Sequence, residues 1–145
     1  MMLWLYRLGD ALRHRARRRR WAPDQASGRR GEDLAHRYLQ SQGYVIVARN
    51  WRHPSGAGEL DIVAWDGETL VFVEVKARGS EEHGRPEEAV GPGKQEHLDR
   101  VARAYARAAG ADPHRTRFDI VSIVFADPPR IELLRDAFAV SRTLY

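Results

Sequence analysis

The pattern along residues 59–76 is that of two short β-strands. Two largely β-branched apolar runs, Leu60 to Trp65 and Leu70 to Val75, flank Asp66-Gly67. An Asp-Gly pair between such runs is a strong short-range hairpin signal. Upstream, Leu34, Ala35, Tyr38 and Leu39 recur at helical spacing between Gly31 and about Gly43, and Tyr44–Trp51 is a near-continuous apolar strand. The segment His53–Gly58 is rich in turn residues, and Gly79–Gly93 is polar, holds Pro86 and Pro92, and reads as a loop near the site. A second helix is predicted from about Gly93 to Ala109, with Leu98, Val101, Ala102 and Tyr105 inward, ended by Gly110 and Pro113. A strand at Arg117–Phe125, a turn at Asp127-Pro128-Pro129 and a strand at Arg130–Leu134 follow. The order αβββαββ predicts a central mixed sheet flanked by helices, an α/β fold bordering on α+β.

Within this pattern the hairpin carries charges where a sheet keeps apolar side chains. A period of two puts Glu59, Asp61 and Val63 on one face of the first strand and Leu70, Phe72, Glu74 and Lys76 on one face of the second. A two-residue Asp66-Gly67 loop leaves Asp61 diagonal to Glu74. A four-residue loop ending at Thr69 places them directly opposite. Both registers bring the two carboxylates to one face, with Cβ atoms roughly 5–8 Å apart. Opposed like charges destabilise a sheet unless something offsets them, and a divalent cation, helped by Lys76, does so. Glu-x-Lys on a strand is by itself most often a solvated edge with a cross-strand ion pair. Here Val71, Val73 and Val75 anchor the other face, and Leu70 and Phe72 share the charged one, so that face is not simply wet. Glu32 lies three residues before Ala35 and seven before Leu39, on the apolar stripe of its helix. Helix-dipole stabilisation in a first turn accounts for an acid there; a third carboxylate aimed at the same centre is the functional reading. Gln95, three before Leu98, is placed to reach that centre as well.

Composition narrows the chemistry. The 145 residues suit one domain, with 43% apolar and 30% charged residues, a soluble globular balance. With no cysteine, disulfides, thiolate zinc sites and cysteine nucleophiles are excluded, and the six histidines lack metal-ligand spacing. No apolar run approaches the ~20 residues of a membrane span, and the cytoplasm is the expected compartment. Charge is uneven: residues 1–20 hold seven arginines against one acid, whereas the remainder holds 17 basic and 19 acidic side chains. The basic balance therefore comes from the first segment, which argues for a polyanionic partner. Its short apolar patch precedes the arginines, the reverse of a secretory signal. A basic amphipathic helix and a merely Arg-rich extension both remain open. Pro23 and Ser27-Gly28 mark a linker, so residues 1–26 are read as a flexible or helical extension and 27–145 as the domain.

A helix-borne Glu32, a strand-borne Asp61 and Glu74-x-Lys76 on the next strand resemble the PD-(D/E)XK, restriction-endonuclease-like nucleases, and among them the Holliday-junction resolvases. More closely, the chain resembles the YraN-like family of uncharacterised bacterial proteins. The matching residues are Gly31-Glu32, Asn50-Trp51-Arg52, Gly58 to Val63, Phe72 to Arg78, Lys94-Gln95 and Arg117-Phe118-Asp119. The resemblance implies an αβββαβ core and a metal-dependent nuclease acting on DNA, branched DNA included. Asp61, Glu74 and Glu32 would hold Mg²⁺ or Mn²⁺, with the Val75 carbonyl a further ligand, Lys76 the catalytic lysine and Gln95 a holder of the nucleophile. Glu59 would be a peripheral ligand or an ion-pair partner of Arg52 or Arg78. Arg17, Arg18, Arg19, Arg20, Arg52 and Arg78 are the candidate nucleic-acid contacts, DNA is the expected partner, and a homodimer is left open. The alternatives are a nucleic-acid-binding module with a silent centre, and a structural protein whose carboxylates are merely salt-bridged.

Overall fold

The computed structural model describes residues 22–56, 58–79 and 90–138. Helix α1 (Ala22–Ser41) leads into strands β1 (Val45–Arg52), β2 (Glu59–Asp66) and β3 (Thr69–Arg78). Helix α2 (Pro92–Ala109) follows, then a 3₁₀ turn at Pro113–Arg115, β4 (Thr116–Val124) and β5 (Arg130–Phe138). The five strands form one sheet in sequence order. All neighbours are antiparallel except β3 and β4. That parallel pair requires a crossover, which α2 supplies. The architecture is the mixed α/β sheet expected from the pattern. Among the described residues no helix is long and apolar enough to cross a membrane.

Strand β3 divides the interior. Its odd-numbered residues Val71 and Val73 join Ala35 and Leu39 of α1, with Ile62, Ala64, Val121 and Ile123. Its even-numbered residues Leu70 and Phe72 join Leu98, Val101, Ala102 and Ala106 of α2, with Leu60, Val63, Phe118 and Ile120. Both faces of the central strand are thus covered, which is why it reads as a continuous apolar run rather than an alternation. On the α2 side Phe118 stacks on Phe138 with centroids 4.5 Å apart, and Phe72 tilts against Phe118 at 5.4 Å. Burying each such ring contributes roughly 1.5–3 kcal/mol.

Several expectations need correction. Helix α1 begins at Ala22 and runs through Pro23 and Ser27-Gly28, where the residue types predict a linker. Proline is tolerated in a first helical turn, where its missing N–H is needed least. An interior glycine costs only about 1 kcal/mol against alanine. Of the two hairpin registers expected, the structure has the one that sets Asp61 opposite Glu74; its ladder closes one pair further, at Asp66 and Thr69, leaving Gly67 and Glu68 at the tip, and Gly67 has φ 59°. Glycine with positive φ at the first loop position is what a type II′ turn requires. Strand β5 continues to Phe138 because a bulge opposite Asp119 lets it resume pairing at Phe118. In that bulge Asp136 has φ 54°, and its N–H donates to the Asp119 side chain at 3.0 Å.

Asp119 organises a polar network on the α1 side. Its carboxylate is fully buried. It accepts from the Tyr44 hydroxyl at 2.7 Å and from Arg117 Nε at 2.8 Å. Arg117 also bridges to Asp66 at 2.8 Å, tying the hairpin turn to β4. Burial and the bond to Asp119 push the Tyr44 phenol above its ordinary range, while the bond to Asp119 helps keep Arg117 charged.

One close approach sets the height of α1 above the sheet. Gly31 is buried, and a Cβ built on it would lie 2.7 Å from the Ala77 Cβ. Overpacking of this kind typically costs about 1–3 kcal/mol. Gly31→Ala is therefore expected to lower unfolding stability in urea by that amount, with Ala77→Gly in the same molecule relieving part of the loss. An unchanged midpoint would mean that the helix rides free of the sheet here.

Candidate active site

The site forms where β2 and β3 part. The ladder between them ends at Ile62 opposite Val73. One step further, where Asp61 and Glu74 would oppose each other, regular pairing stops. The Val75 N–H, which would have continued the ladder, donates instead to Asp61 Oδ2 at 2.9 Å. A carboxylate has taken the place of a backbone acceptor, and this holds Asp61 beside β3. Leu60, Phe72, Leu98 and Phe118 form the apolar walls of a narrow crevice that Asp61 and Glu74 also line. Gly58 lets α2 close over this end, since a Cβ there would stand 2.7 Å from Val101 Cγ2.

Glu74 is buried and receives two amines on the same oxygen. Lys94 Nζ lies 2.7 Å from Glu74 Oε1, and Lys76 Nζ lies 3.5 Å from it. Glu74 and Asp61 are within hydrogen-bonding reach of each other. Burial first, and then the charge of Glu74, pushes the Asp61 carboxyl well above the usual carboxylate range, against the pull of the Val75 N–H and Lys94. Burial also tends to raise Glu74, but Lys94 and Lys76 outweigh it and hold Glu74 below its ordinary value. Lys76 is lowered, by burial first and by its neighbour Lys94, against the pull of Glu74. Lys94 is raised: Glu74 outweighs its burial. The two carboxyls are thus pushed apart, Asp61 upward and Glu74 downward.

The other candidates lie at varying remove. Glu32 approaches from α1. Its charge contributes to the rise of Asp61, but its Oε2 accepts from Asn50 Nδ2 at 3.1 Å and stands 3.5 Å from Arg49 Nη2. Gln95 is turned to the backbone, its Nε2 donating to the Val90 carbonyl at 2.7 Å, and so anchors the start of α2. Glu59 pairs with Arg52 at 3.3 Å, the ion-pair role among those open to it. Arg78 lies at the end of β3, where its carbonyl accepts from the Phe125 N–H at 2.8 Å. Arg17, Arg18, Arg19 and Arg20 lie outside the described residues.

Two participants lie within the motifs that carry the resemblance, which assigns them no role. Lys94 leaves two traces in the sequence. It is one of only two lysines among 24 basic residues, and the other is Lys76. It also sits in the first turn of α2, where the helix dipole disfavours a cation. Asn50, which positions Glu32, has φ 52°, a conformation that asparagine tolerates better than most residues.

The donor set suits a hard divalent cation. Mg²⁺ is commonly held by one or two carboxylates, with water and substrate phosphate completing its shell. Asp61 and Glu74 supply such a pair, and the charge of Glu74, which helps raise the Asp61 carboxyl, is a repulsion that a cation would relieve. Among the described residues no group of three or more acidic or histidine side chains stands ready to hold a metal. The protein side of any such site is accordingly these two carboxylates, with Glu32 acting at longer range.

Residues 31–123 match the model of the uncharacterised protein family UPF0102. A UPF0102 protein of Solibacter usitatus is 52% identical over 134 residues, covering 92% of this chain and 97% of its own length. A UPF0102 protein of Koribacter versatilis is 47% identical over 116 residues, 79% of this chain and 80% of its own length. One of Syntrophus aciditrophicus is 41% identical over 116 residues, 79% of this chain and 90% of its own. The matched span contains all the candidate residues from Glu32 to Gln95.

The raised Asp61 carboxyl has a stability consequence. The folded state holds this proton more tightly than the unfolded state. The associated stability is therefore present below the ordinary carboxylate pKa and is lost as pH rises through the raised value. Asp61→Asn keeps an acceptor for the Val75 N–H and removes the ionisation. Thermal unfolding should show the variant more stable than the parent at pH 8, by on the order of 1 kcal/mol, with the gain shrinking toward pH 4. A variant less stable than the parent at pH 8 would make the Asp61 charge a structural asset.

Proposed function

The chain belongs to the UPF0102 family, and we propose that it is a divalent-metal-dependent nuclease hydrolysing phosphodiester bonds in DNA, branched DNA included. The observation that carries this reading is the convergence of Asp61, Glu74 and Lys76 at the parting of β2 and β3. Asp61 and Glu74 would hold Mg²⁺ or Mn²⁺. A bound cation of this kind acidifies a water and neutralises charge on phosphoryl oxygens. Lys76, lowered in pKa and held over Glu74, orients the attacking water and donates to the phosphoryl oxygen as charge builds there. Glu32 biases Asp61 electrostatically from α1, and Gln95 fixes the entry of α2 that shapes the crevice. Arg52, exposed at the end of β1 beside Glu59, is available to phosphate, and Arg17, Arg18, Arg19 and Arg20 add sequence-independent attraction to it.

A competing reading has one observation in its favour. Lys94 and Lys76 already neutralise Glu74, and among the described residues there is no third ligand at metal distance. A salt-bridged cluster in a silent centre would look alike at rest. Binding separates the two, since a silent cluster has no need of a cation.

The expected outcome is cleavage that requires Mg²⁺ or Mn²⁺ and is abolished by a chelator, on a panel of four-way junction, flap, single-stranded and duplex DNA. Lys76→Ala should retain DNA binding and lose roughly 10²–10³-fold in rate, the scale of one donor aimed at developing charge. If Lys76→Ala cleaves as fast as the parent, the activity belongs elsewhere. If the parent binds DNA and metal but cuts nothing in the panel, the silent-module reading stands.

Removal of residues 1–20 addresses the basic segment separately. It takes away seven arginines and one acid. DNA affinity should fall and its log–log salt slope should flatten, by close to one unit for each phosphate that is no longer neutralised. Cleavage at low salt should persist. An unchanged slope would show that the segment does not touch DNA.

A further inference from the structure

In a chain that otherwise uses arginine for its basic positions, both lysines stand on one carboxylate oxygen. Their situations differ. Lys76 projects from the central strand, and its side chain is 18% exposed. Lys94 projects from the first turn of α2, is 41% exposed, and makes the closer contact, 2.7 Å against 3.5 Å. That position is electrostatically poor for a cation, because the free N–H groups of a helix start repel it. A local choice that runs against intrinsic preference points to a demand made by the site. Lysine rather than arginine also fits the demand. A compact ammonium on a flexible stem can sit in a space of one ion and then leave it, whereas a planar guanidinium makes a fixed fork.

We propose that Lys94 is the placeholder cation of the site: its ammonium occupies Glu74 in the metal-free protein and withdraws toward solvent when a divalent cation binds. Lys94 is then a positioning residue. It holds Glu74 aimed at the crevice, so that a carboxylate buried beside Asp61 does not turn away. The half-exposed stem gives the amine somewhere to go, and once released it faces the phosphate that accompanies the metal. Lys76 has less freedom and stays. A built-in competitor of this kind makes metal binding weak in the absence of polyanion. This inference rests on the metal-dependent reading above.

The test is direct Mn²⁺ binding, read from the electron paramagnetic resonance of free Mn²⁺ at pH 7.5 without nucleic acid. Parent, Lys94→Gln, Lys94→Arg, Asp61→Asn and Arg107→Gln are compared. Arg107, at the far end of α2, controls for net charge. Lys94→Gln should bind Mn²⁺ roughly ten- to a hundredfold more tightly than the parent, the range represented by one hydrogen bond to a charged group. Lys94→Arg should bind Mn²⁺ no more tightly than the parent, Arg107→Gln should match it, and Asp61→Asn should bind no Mn²⁺. A purely structural Lys94 would lower the melting temperature of Lys94→Gln without tightening Mn²⁺. That result, with parental binding intact and Asp61-dependent, overturns the placeholder and leaves the metal reading standing. Absence of Mn²⁺ binding in the parent and in Lys94→Gln alike overturns both.

Discussion

Everything at this site follows from holding two carboxylates together at the edge of a core. Asp61 and Glu74 sit beyond the last paired residues of β2 and β3, with aromatic and aliphatic walls around them. Left alone, such a pair would open the strands or turn one carboxyl to water. Three things prevent it. The Val75 N–H fixes Asp61, the raised Asp61 carboxyl ionises less readily, and two amines neutralise Glu74. None of these removes the repulsion; each offsets part of it. A cation placed between the two oxygens would act on the repulsion itself, which is why the arrangement points to metal chemistry more strongly than a lone Glu-x-Lys does.

The fold makes this placement possible through β3. Its first half is apolar on both faces and ties the α1 and α2 layers into one body. Parallel pairing with β4 runs the full length from Leu70 to Arg78, so the strand stays straight after β2 has left it. Glu74 and Lys76 can then be polar without loosening the strand, because the backbone is still paired on the β4 side. The glycines at 31 and 58 do the remaining positioning. One lets α1 descend onto Ala77 and brings Glu32 within electrostatic reach of Asp61. The other lets α2 close over β2 and carries Lys94 to Glu74.

Much of this is legible along the chain, and the reasons for the rest are specific. The period of two places Asp61, Glu74 and Lys76 on common ground because sheet geometry is set by the backbone and tolerates few alternatives. The hairpin is legible to within two registers, and the pairing of Asp66 with Thr69 selects the one that sets Asp61 opposite Glu74. Pro23 and Ser27-Gly28 mislead as a linker since breakers are weighed by local preference, whereas α1 continues through them as one helix. Gln95 has the spacing to reach the centre. What spacing alone does not reveal is that its amide is taken up by the Val90 carbonyl. Lys94 is hidden for a different reason: its role depends on a contact with a residue far along the chain, although its scarcity and its position at a helix start are both visible.

A second buried carboxylate in the same molecule shows what a structural solution looks like. Asp119, on the α1 side of the sheet, has the Tyr44 hydroxyl, the Arg117 guanidinium and the Asp136 N–H all donating to it. Arg117 is in turn completed by Asp66. Each carboxylate oxygen has donors, and the network joins hairpin, β4 and the β5 bulge; removing one member of such a set typically costs about 3–5 kcal/mol. The pair on the α2 side departs from this in each respect. Asp61 has one backbone donor and a like charge beside it, and Glu74 draws two amines to a single oxygen. Both clusters formed in one chain with ample arginine available, so the means to build a second saturated network were at hand. An unsaturated carboxyl pair, with two lysines on one oxygen, is the arrangement that the proposed metal-dependent reading requires.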